Sequence, residues 1–423
     1  MKISFYTLGC KVNQYETAVA IEKFKEKGYE IANFNDVCDV YVINSCSVTN
    51  LATRKTRNMV SKTKKMNKEA IVVLMGCYAN EGPENNKADI VIGNEEKKDI
   101  FTIVEMYSIK VSIVTDISKV KKYSERYVLK KKTNLREYIK IEDGCNNFCT
   151  YCIIPYVRGR VRSRNIEEIV KEAENLIKSG AKEIVLTGIE IASYGTDTKT
   201  LSLIDVIKKV SSIDKNVNIR LGSLDPRWMQ NVDNIKKLAE IKNICNHFHL
   251  SLQSLDNNIL SRMNRKYTVE NIYEIKENLD KYFNNNYSIT TDIITGFIDE
   301  TDEEFLNTYR NLDNLDIFNI HVFKYSKRKY TKASKLSTTV TDEMKKIRSE
   351  KLIKLAEKLK NRYLSKYINT KVTVLLEEYK EGYLYGYTNN YIYVKVKGDE
   401  KLWGSKQEIE LQKIEKNFVL GKI

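Results

Sequence analysis

Three cysteines within eight residues restrict this chain more than any other feature. They lie in Asp143-Gly-Cys-Asn-Asn-Phe-Cys-Thr-Tyr-Cys-Ile-Ile-Pro-Tyr-Val-Arg-Gly-Arg-Val-Arg-Ser-Arg164, where Cys145, Cys149 and Cys152 stand at Cys-x3-Cys-x2-Cys spacing. In a reducing compartment, thiolates this close hold a metal or a cluster rather than disulfides. A tetrahedral zinc site wants four ligands. The loop supplies three, and no His lies within ninety residues on either side to complete the set. A cubane iron–sulfur cluster held by three cysteines keeps one iron free for another molecule, and that arrangement fits.

At 423 residues the chain is long enough for two or three domains with sizeable cores. The start, Met1-Lys-Ile-Ser-Phe-Tyr-Thr-Leu-Gly-Cys10, turns polar too soon for a signal peptide, and no apolar run approaches bilayer length. A cytoplasmic protein with no membrane partner is expected. Net charge is +15, and it is segregated. Residues 51–68 carry seven Lys/Arg and no acid; residues 121–164 carry twelve basic and four acidic; residues 321–370 carry fifteen and four. Positive charge gathered in stretches is the footprint of a polyanion partner.

Strands and helices alternate from the N-terminus: a strand at 2–7, a helix from about Gln14 to Lys27, a strand Val40–Asn44, a basic helix 50–66 and a strand 70–75. This pattern implies a doubly wound parallel sheet, whose ligands gather at the carboxyl edge. Cys10, Cys46 and Cys77 each fall one to three residues beyond one of these strands, so topology brings them to one edge. Cys38 precedes its strand and is read as a small buried hydrophobe. Residues 107–135 form a charged linker with a possible strand at 111–114, after an N-terminal domain of 1–106.

The second domain, 136–366, repeats strand and helix six times. Strands are expected at 138–142, 184–187, 218–222, 247–253, 288–295 and 318–323, and helices near 166–179, 201–210, 233–240, 270–283 and 302–314. Six units make an open (β/α)6 barrel, not a closed eight-stranded one. In His247-Phe-His-Leu-Ser-Leu-Gln253 the period of two sends Phe248, Leu250 and Leu252 toward the helices and His247, His249, Ser251 and Gln253 into the lumen. Asn218 and Arg220 turn inward by the same rule. Cys245 precedes its strand and is read as structural. A helix at 342–366 offers Met344, Ile347, Leu355, Leu359 and Tyr363 for packing on the barrel. Residues 367–423 read as a small β-barrel with strands near 372–377, 383–387, 391–396 and 408–411. Its tyrosines (Tyr383, Tyr385, Tyr387, Tyr391 and Tyr393) suit either packing or base stacking.

Three features together resemble the radical S-adenosylmethionine (SAM) methylthiotransferases over nearly the whole chain. Thr7-Leu-Gly-Cys-Lys-Val-Asn-Gln-Tyr-Glu16 is similar to that family's opening motif, with Cys10, Cys46 and Cys77 matching the ligands of its N-terminal cluster. Cys145, Cys149 and Cys152 match the ligands of the SAM cluster, and the last domain resembles the TRAM RNA-binding domain. The Asp143–Tyr156 stretch and Leu186-Thr-Gly-Ile-Glu-Ile-Ala-Ser-Tyr-Gly195 look like the branch acting on N6-threonylcarbamoyladenosine beside the tRNA anticodon.

The resemblance implies two [4Fe-4S] clusters and SAM as cofactors. It also implies a tRNA anticodon stem-loop as substrate, a reduced flavodoxin- or ferredoxin-like electron donor, and a sulfur donor. One cluster splits SAM to a 5′-deoxyadenosyl radical that takes hydrogen from C2 of the adenine. The other presents sulfur, and a second SAM supplies the methyl. By the same likeness Tyr151, Gly188, Ser223 and Gln253 belong to the SAM pocket. A cationic residue is expected to meet the threonylcarbamoyl carboxylate, with Arg158, Arg160 and Arg220 as candidates. The alternatives left open are isopentenyl-adenosine tRNA or a ribosomal protein as substrate. In another class stands a non-catalytic iron–sulfur RNA-binding redox sensor.

Overall fold

Apolar runs such as Val40-Tyr-Val-Ile43 and Ile71-Val-Val-Leu-Met75 have no polar face, so a sheet built from them must be covered on both sides. In the computed structural model, which describes residues 1–82, 87–106, 110–124, 129–130 and 134–423, it is. The N-terminal strands β1 (Lys2–Thr7), β2 (Glu30–Ile31), β3 (Val40–Ser45), β4 (Ile71–Gly76), β5 (Ile90–Ile92) and β6 (Val111–Ile113) form one parallel sheet in the order β2-β1-β3-β4-β5-β6. Helices α1 (Lys11–Glu26), α2 (Asn50–Met66), α3 (Cys77–Asn80) and α4 (Ile100–Met106) accompany it. Helix α1 starts three residues earlier than the sequence suggested, because Cys10 itself takes the extended N-cap position. The segment expected as a linker falls partly outside the described residues; its strand at 111–113 joins the sheet edge.

The open barrel runs β7 (Arg136–Lys140), β10 (Glu183–Thr187), β11 (Asn218–Leu221), β12 (Ser223–Leu224), β13 (His247–Gln253), β14 (Ser288–Thr295) and β15 (Asn319–Lys324). All its strand pairs are parallel. Among the described residues, a single bridge, Ile219 to Ile244, joins its two halves, and the ends β7 and β15 do not pair. The first strand sits two residues earlier than expected. Glu142–Asp143 (β8) leave the ladder for a two-residue antiparallel ribbon with Arg162–Ser163 (β9). Helices α5 (Ile154–Val157), α6 (Ile166–Lys178), α7 (Leu203–Ile213), α8 (Pro226–Gln230), α9 (Val232–Ala239), α10 (Asn257–Arg262), α11 (Val269–Tyr282) and α12 (Asp302–Asn314) complete the units. Phe248, Leu250 and Leu252 pack in the main core, as the alternation requires.

Helix α13 (Asp342–Ser365) departs from its expected face. Ile347 is 45% exposed, and the buried stripe runs Arg348, Leu352, Leu355, Leu359, Tyr363. Arg348 earns its buried place by pairing with Glu300 at 2.8 Å. The last domain is a closed barrel in the order β16-β17-β18-β20-β19: β16 (Lys371–Lys380), β17 (Tyr383–Thr388), β18 (Tyr393–Lys397), β19 (Lys406–Ile414) and β20 (Val419–Lys422). Strand β20, absent from the sequence reading, closes it.

This small barrel docks on the amino ends of the large one. Tyr391 stacks on His247 with centroids 4.3 Å apart, and the guanidinium of Arg220 lies 4.7 Å from the Tyr391 ring. Arg136 lies 4.6 Å from the Tyr387 ring. Those two tyrosines therefore serve packing, not base stacking. Helix α1 belongs to two cores at once: Tyr15 and Val19 pack with the large barrel, Ala20 and Phe24 with the N-terminal sheet.

Candidate active site

Each N-terminal cysteine is placed by a strand end. Cys10 follows β1, Cys46 follows β3, and Cys77 opens α3 directly after β4. Gly9 and Gly76 make the turns, both with φ near +100° (98° and 101°). A Cβ on Gly9 would lie 2.8 Å from Cys46 Cβ and 2.9 Å from its Sγ, so this backbone approach needs glycine. The three thiols are electrostatic neighbours. Burial, then Cys77, pushes Cys46 up to about 12, and Cys10 also feels Cys77 and the opposing pull of Arg158. Of the three, Cys10 is the exposed one and Cys46 and Cys77 are buried.

The second trio sits on a loop fixed from all sides. Gly144 (φ +83°) leaves only 2.0 Å between a built Cβ and the Arg160 carbonyl. The Cys145 amide donates to Gly159 O at 3.1 Å, and Thr150 N donates to Met263 O at 3.1 Å. N–H groups are aimed at the sulfurs: Asn147 N at Cys145 Sγ (3.4 Å) and Arg265 Nη1 at Cys149 Sγ (3.3 Å). Burial, then Cys149, pushes Cys152 up to about 12. Thiols raised this far stay protonated unless a cation takes their protons' place, and donors aimed at sulfur stabilise the thiolate that results. Both trios therefore fit a bound metal cluster.

Between them lies a buried charge network. Arg158 Nε donates to Cys77 Sγ at 3.4 Å. Its Nη1 donates to Glu16 at 2.7 Å and to Asp143 at 3.2 Å, and its Nη2 to Asn13 at 2.7 Å. Lys140 bridges the same two carboxylates, Lys97 pairs with Glu16, and Arg162 stands 3.6 Å from Asp143. Burial works against the ionised form of Glu16 and Asp143, but Arg158 and Lys140 override it and hold both well below the carboxylate range. Four cationic groups face two carboxylates. The surplus of positive charge beside Cys77 suits an anionic cluster held by thiolates.

A cavity of about 300 Å³ opens over the second trio, lined by Cys145, Cys149 and Cys152 and, from the N-terminal domain, by Val48 and Thr49 just after Cys46. Cys152 feels the charge of Cys77, and Ile153, Ile154 and Val157 pack with Cys77 in one apolar cluster. The loop of the second trio thus packs directly against a cysteine of the first. On the opposite wall, Asp292 accepts from His321 Nδ1 at 3.0 Å and faces His249 Nε2 at 3.4 Å.

Comparison with known proteins places the chain in a family. The pattern of the Radical SAM superfamily matches residues 139–312, and that of the Uncharacterized protein family UPF0004 matches residues 2–93. The chain is 36% identical, over 97% of its length and 94% of the relative's, to the Threonylcarbamoyladenosine tRNA methylthiotransferase MtaB of Bacillus subtilis. The chain belongs to the radical-SAM methylthiotransferases. It is also 32% identical to a tRNA-2-methylthio-N(6)-dimethylallyladenosine synthase of Endomicrobium trichonymphae, over 99% of this chain and 98% of that one. In fold it is similar to the radical SAM methyltransferase TsrM of Kitasatospora setae, solved with cobalamin and a [4Fe-4S] cluster (TM-score 0.58, 14% identity, 79% and 77% coverage).

Within this methylthiotransferase, Tyr151, Ser223 and Gln253 line the cavity. Gln253 holds a left-handed φ of +65° at the end of β13, where the register with β14 shifts. Gly188 is not part of the lining. Its missing side chain makes room for the Glu142 carboxylate, 2.3 Å from where a Cβ would stand. Arg158 and Arg220 do not reach a cavity mouth: both are buried, Arg158 as described and Arg220 against Glu183 at 2.7 Å. Arg160 is exposed, 4.2 Å from the Phe148 ring. Sequence reasoning missed Glu190, Arg265, Asp292 and Arg328 in the cavity wall. Glu190 is pushed up to about 8 by burial and by Asp225. Of the four, Glu190 lies in the Leu186–Gly195 stretch already singled out and Asp292 on a strand expected at 288–295, whereas Arg265 and Arg328 showed only a charge.

Proposed function

We propose that this methylthiotransferase adds a methylthio group to C2 of N6-threonylcarbamoyladenosine next to the anticodon of tRNA. Cys145, Cys149 and Cys152 are the ligands of the SAM-binding [4Fe-4S] cluster, and Cys10, Cys46 and Cys77 are those of the second. When bound, these groups and SAM supply hydrogen abstraction on one side and sulfur and methyl delivery on the other. The protein's own work is placement. Arg265 fixes Cys149 and is itself fixed by Asp225 at 3.3 Å and Ser251 O at 2.8 Å. Tyr151, Glu190, Ser223 and Gln253 shape the SAM pocket, and Val48, Ile153 and Ile154 add apolar lining to the same cavity.

The single observation that carries this reading is that the loop of one trio packs directly on the other: Arg158 donates to Cys77 Sγ at 3.4 Å, and Ile153 and Val157 share an apolar cluster with Cys77. A redox sensor needs no such contact between its two cysteine sites. Residues 1–106, with the edge strand Val111–Ile113, are the N-terminal cluster domain, 136–366 the radical-SAM core and 367–423 a TRAM-like RNA-binding domain. A small reduced flavodoxin- or ferredoxin-like protein supplies electrons, a separate donor renews the sulfur, and the reaction takes place in the cytoplasm.

The test is an anaerobic assay with reconstituted enzyme, SAM, reductant and anticodon stem-loops carrying either threonylcarbamoyladenosine or isopentenyladenosine, read by nucleoside mass spectrometry. Methylthiolation of the first alone is expected. Turnover of the second alone, or of both equally, overturns the substrate assignment. SAM cleavage with no modified nucleoside from either RNA overturns the reaction.

A further inference from the structure

Lys11 is the residue after Cys10 and the first of helix α1. It is half-buried, yet among the described residues its ammonium has no carboxylate within 4 Å and no hydrogen-bond acceptor. It projects out of the N-terminal domain toward the first strand of the barrel, with Nζ 6.0 Å from the Tyr138 ring. There it feels the like charges of Arg220 and Arg136 and the attraction of Glu183. Arg220 and Arg136 are already spent, both on Glu183 at 2.7 Å and Arg136 also on Glu377 at 2.7 Å. Burial pushes Glu377 up to about 7, which weakens its share of the negative charge. Three cations therefore face two carboxylates, and the one without a partner is Lys11. A partly desolvated charge left unpaired is costly, and the cost is recovered when an anion arrives.

The chemistry of the substrate says where that anion should be. In adenine, C2 and N6 flank N1 on the same base-pairing edge, so a substituent on N6 emerges beside whatever acts at C2. The group that reads the threonylcarbamoyl carboxylate must then stand next to the sulfur-delivering site. Consecutive Cα atoms are about 3.8 Å apart, and Lys11 is adjacent to a cysteine of that site.

Resting on the substrate reading above, we propose that Lys11 receives the carboxylate of the threonylcarbamoyl group and so selects this substrate. It fills the role that neither Arg158 nor Arg220 can fill. The recognition is electrostatic, and it favours a carboxylate over an apolar isopentenyl group or an esterified threonine.

The experiment measures binding of labelled anticodon stem-loops to the cluster-loaded enzyme by fluorescence anisotropy, without turnover. Three RNAs are compared: threonylcarbamoyladenosine, its methyl ester, and isopentenyladenosine. For the native protein, esterification should weaken binding roughly 10- to 100-fold, the worth of a hydrogen bond between charged groups. Lys11→Gln and Lys11→Met should bind the free acid only as well as the ester, leaving ester affinity within about twofold; Lys11→Arg should keep the preference for the acid. Equal weakening of acid and ester, or no weakening, in both neutral variants overturns the proposal. Native enzyme that binds and modifies only the isopentenyl RNA overturns the substrate reading itself, a different result from a failure of Lys11.

Discussion

The Nε of Arg158 lies 3.4 Å from the Sγ of Cys77 although the two residues belong to different domains. One guanidinium thereby ties the barrel's cluster loop to the N-terminal cysteines, and its remaining donors hold Glu16, Asp143 and Asn13. Arg158→Met should leave two buried carboxylates short of a partner and destabilise the fold by about 3–5 kcal/mol. Urea denaturation should show this, with a smaller loss for Arg158→Lys, which keeps the charge but not the fork.

Gly9→Ala should act locally. Its added methyl would meet Cys46 at 2.8–2.9 Å in a left-handed turn. Iron content after anaerobic reconstitution should fall from about eight to about four per chain, with SAM cleavage retained. Full iron loading would show that the turn can relax.

Replacing each trio by alanine should separate the two roles. The Cys145/Cys149/Cys152 variant should keep one cluster and lose SAM cleavage. The Cys10/Cys46/Cys77 variant should also keep one cluster, cleave SAM, and make no methylthiolated RNA. Product from the latter would refute the division of labour.

Binding to tRNA should weaken steeply with salt, each phosphate contact contributing about 0.7–0.9 to the log–log slope. Reversing Lys329 and Lys332 should flatten that slope. Arg328 is left out of the reversal because it is buried and donates to Ser47 O at 3.1 Å. An unchanged slope would place the RNA elsewhere.

Strands and helices with clean periodicity were readable almost to the residue: 247–253, 288–295, 302–314 and 50–66 all match. The convergence of Cys10, Cys46 and Cys77 was also readable, because parallel topology alone dictates it. What could not be read were elements set by distant partners. Strands Glu30–Ile31, Ile90–Ile92 and Val419–Lys422 are too short to show a period and exist through the neighbours they pair with. Buried ion pairs misled the assignment of Arg158 and Arg220, since sequence shows a charge without its partner. The turns at Asp299 and Tyr330 adopt left-handed backbones (φ +50° and +71°) although neither residue is glycine. Asp299 is held there by accepting from Thr339 N at 2.9 Å and donating its amide to Thr338 Oγ1 at 3.2 Å.

Helix α1 carries a last consequence. Its Tyr15 hydroxyl donates to Glu172 of the barrel at 3.1 Å, while about two and a half turns along, Phe24 packs in the core of the N-terminal sheet. A rod shared by two cores cannot melt out of one and stay in the other, so the units that sequence would cut apart lose their order together. Calorimetry should find a single cooperative transition for the two halves. A fragment ending before the barrel would expose one side of the rod to water and aggregate. The halves that hold the two trios therefore fold as a pair, so the spacing between the two cysteine sites is fixed by the same event that forms them.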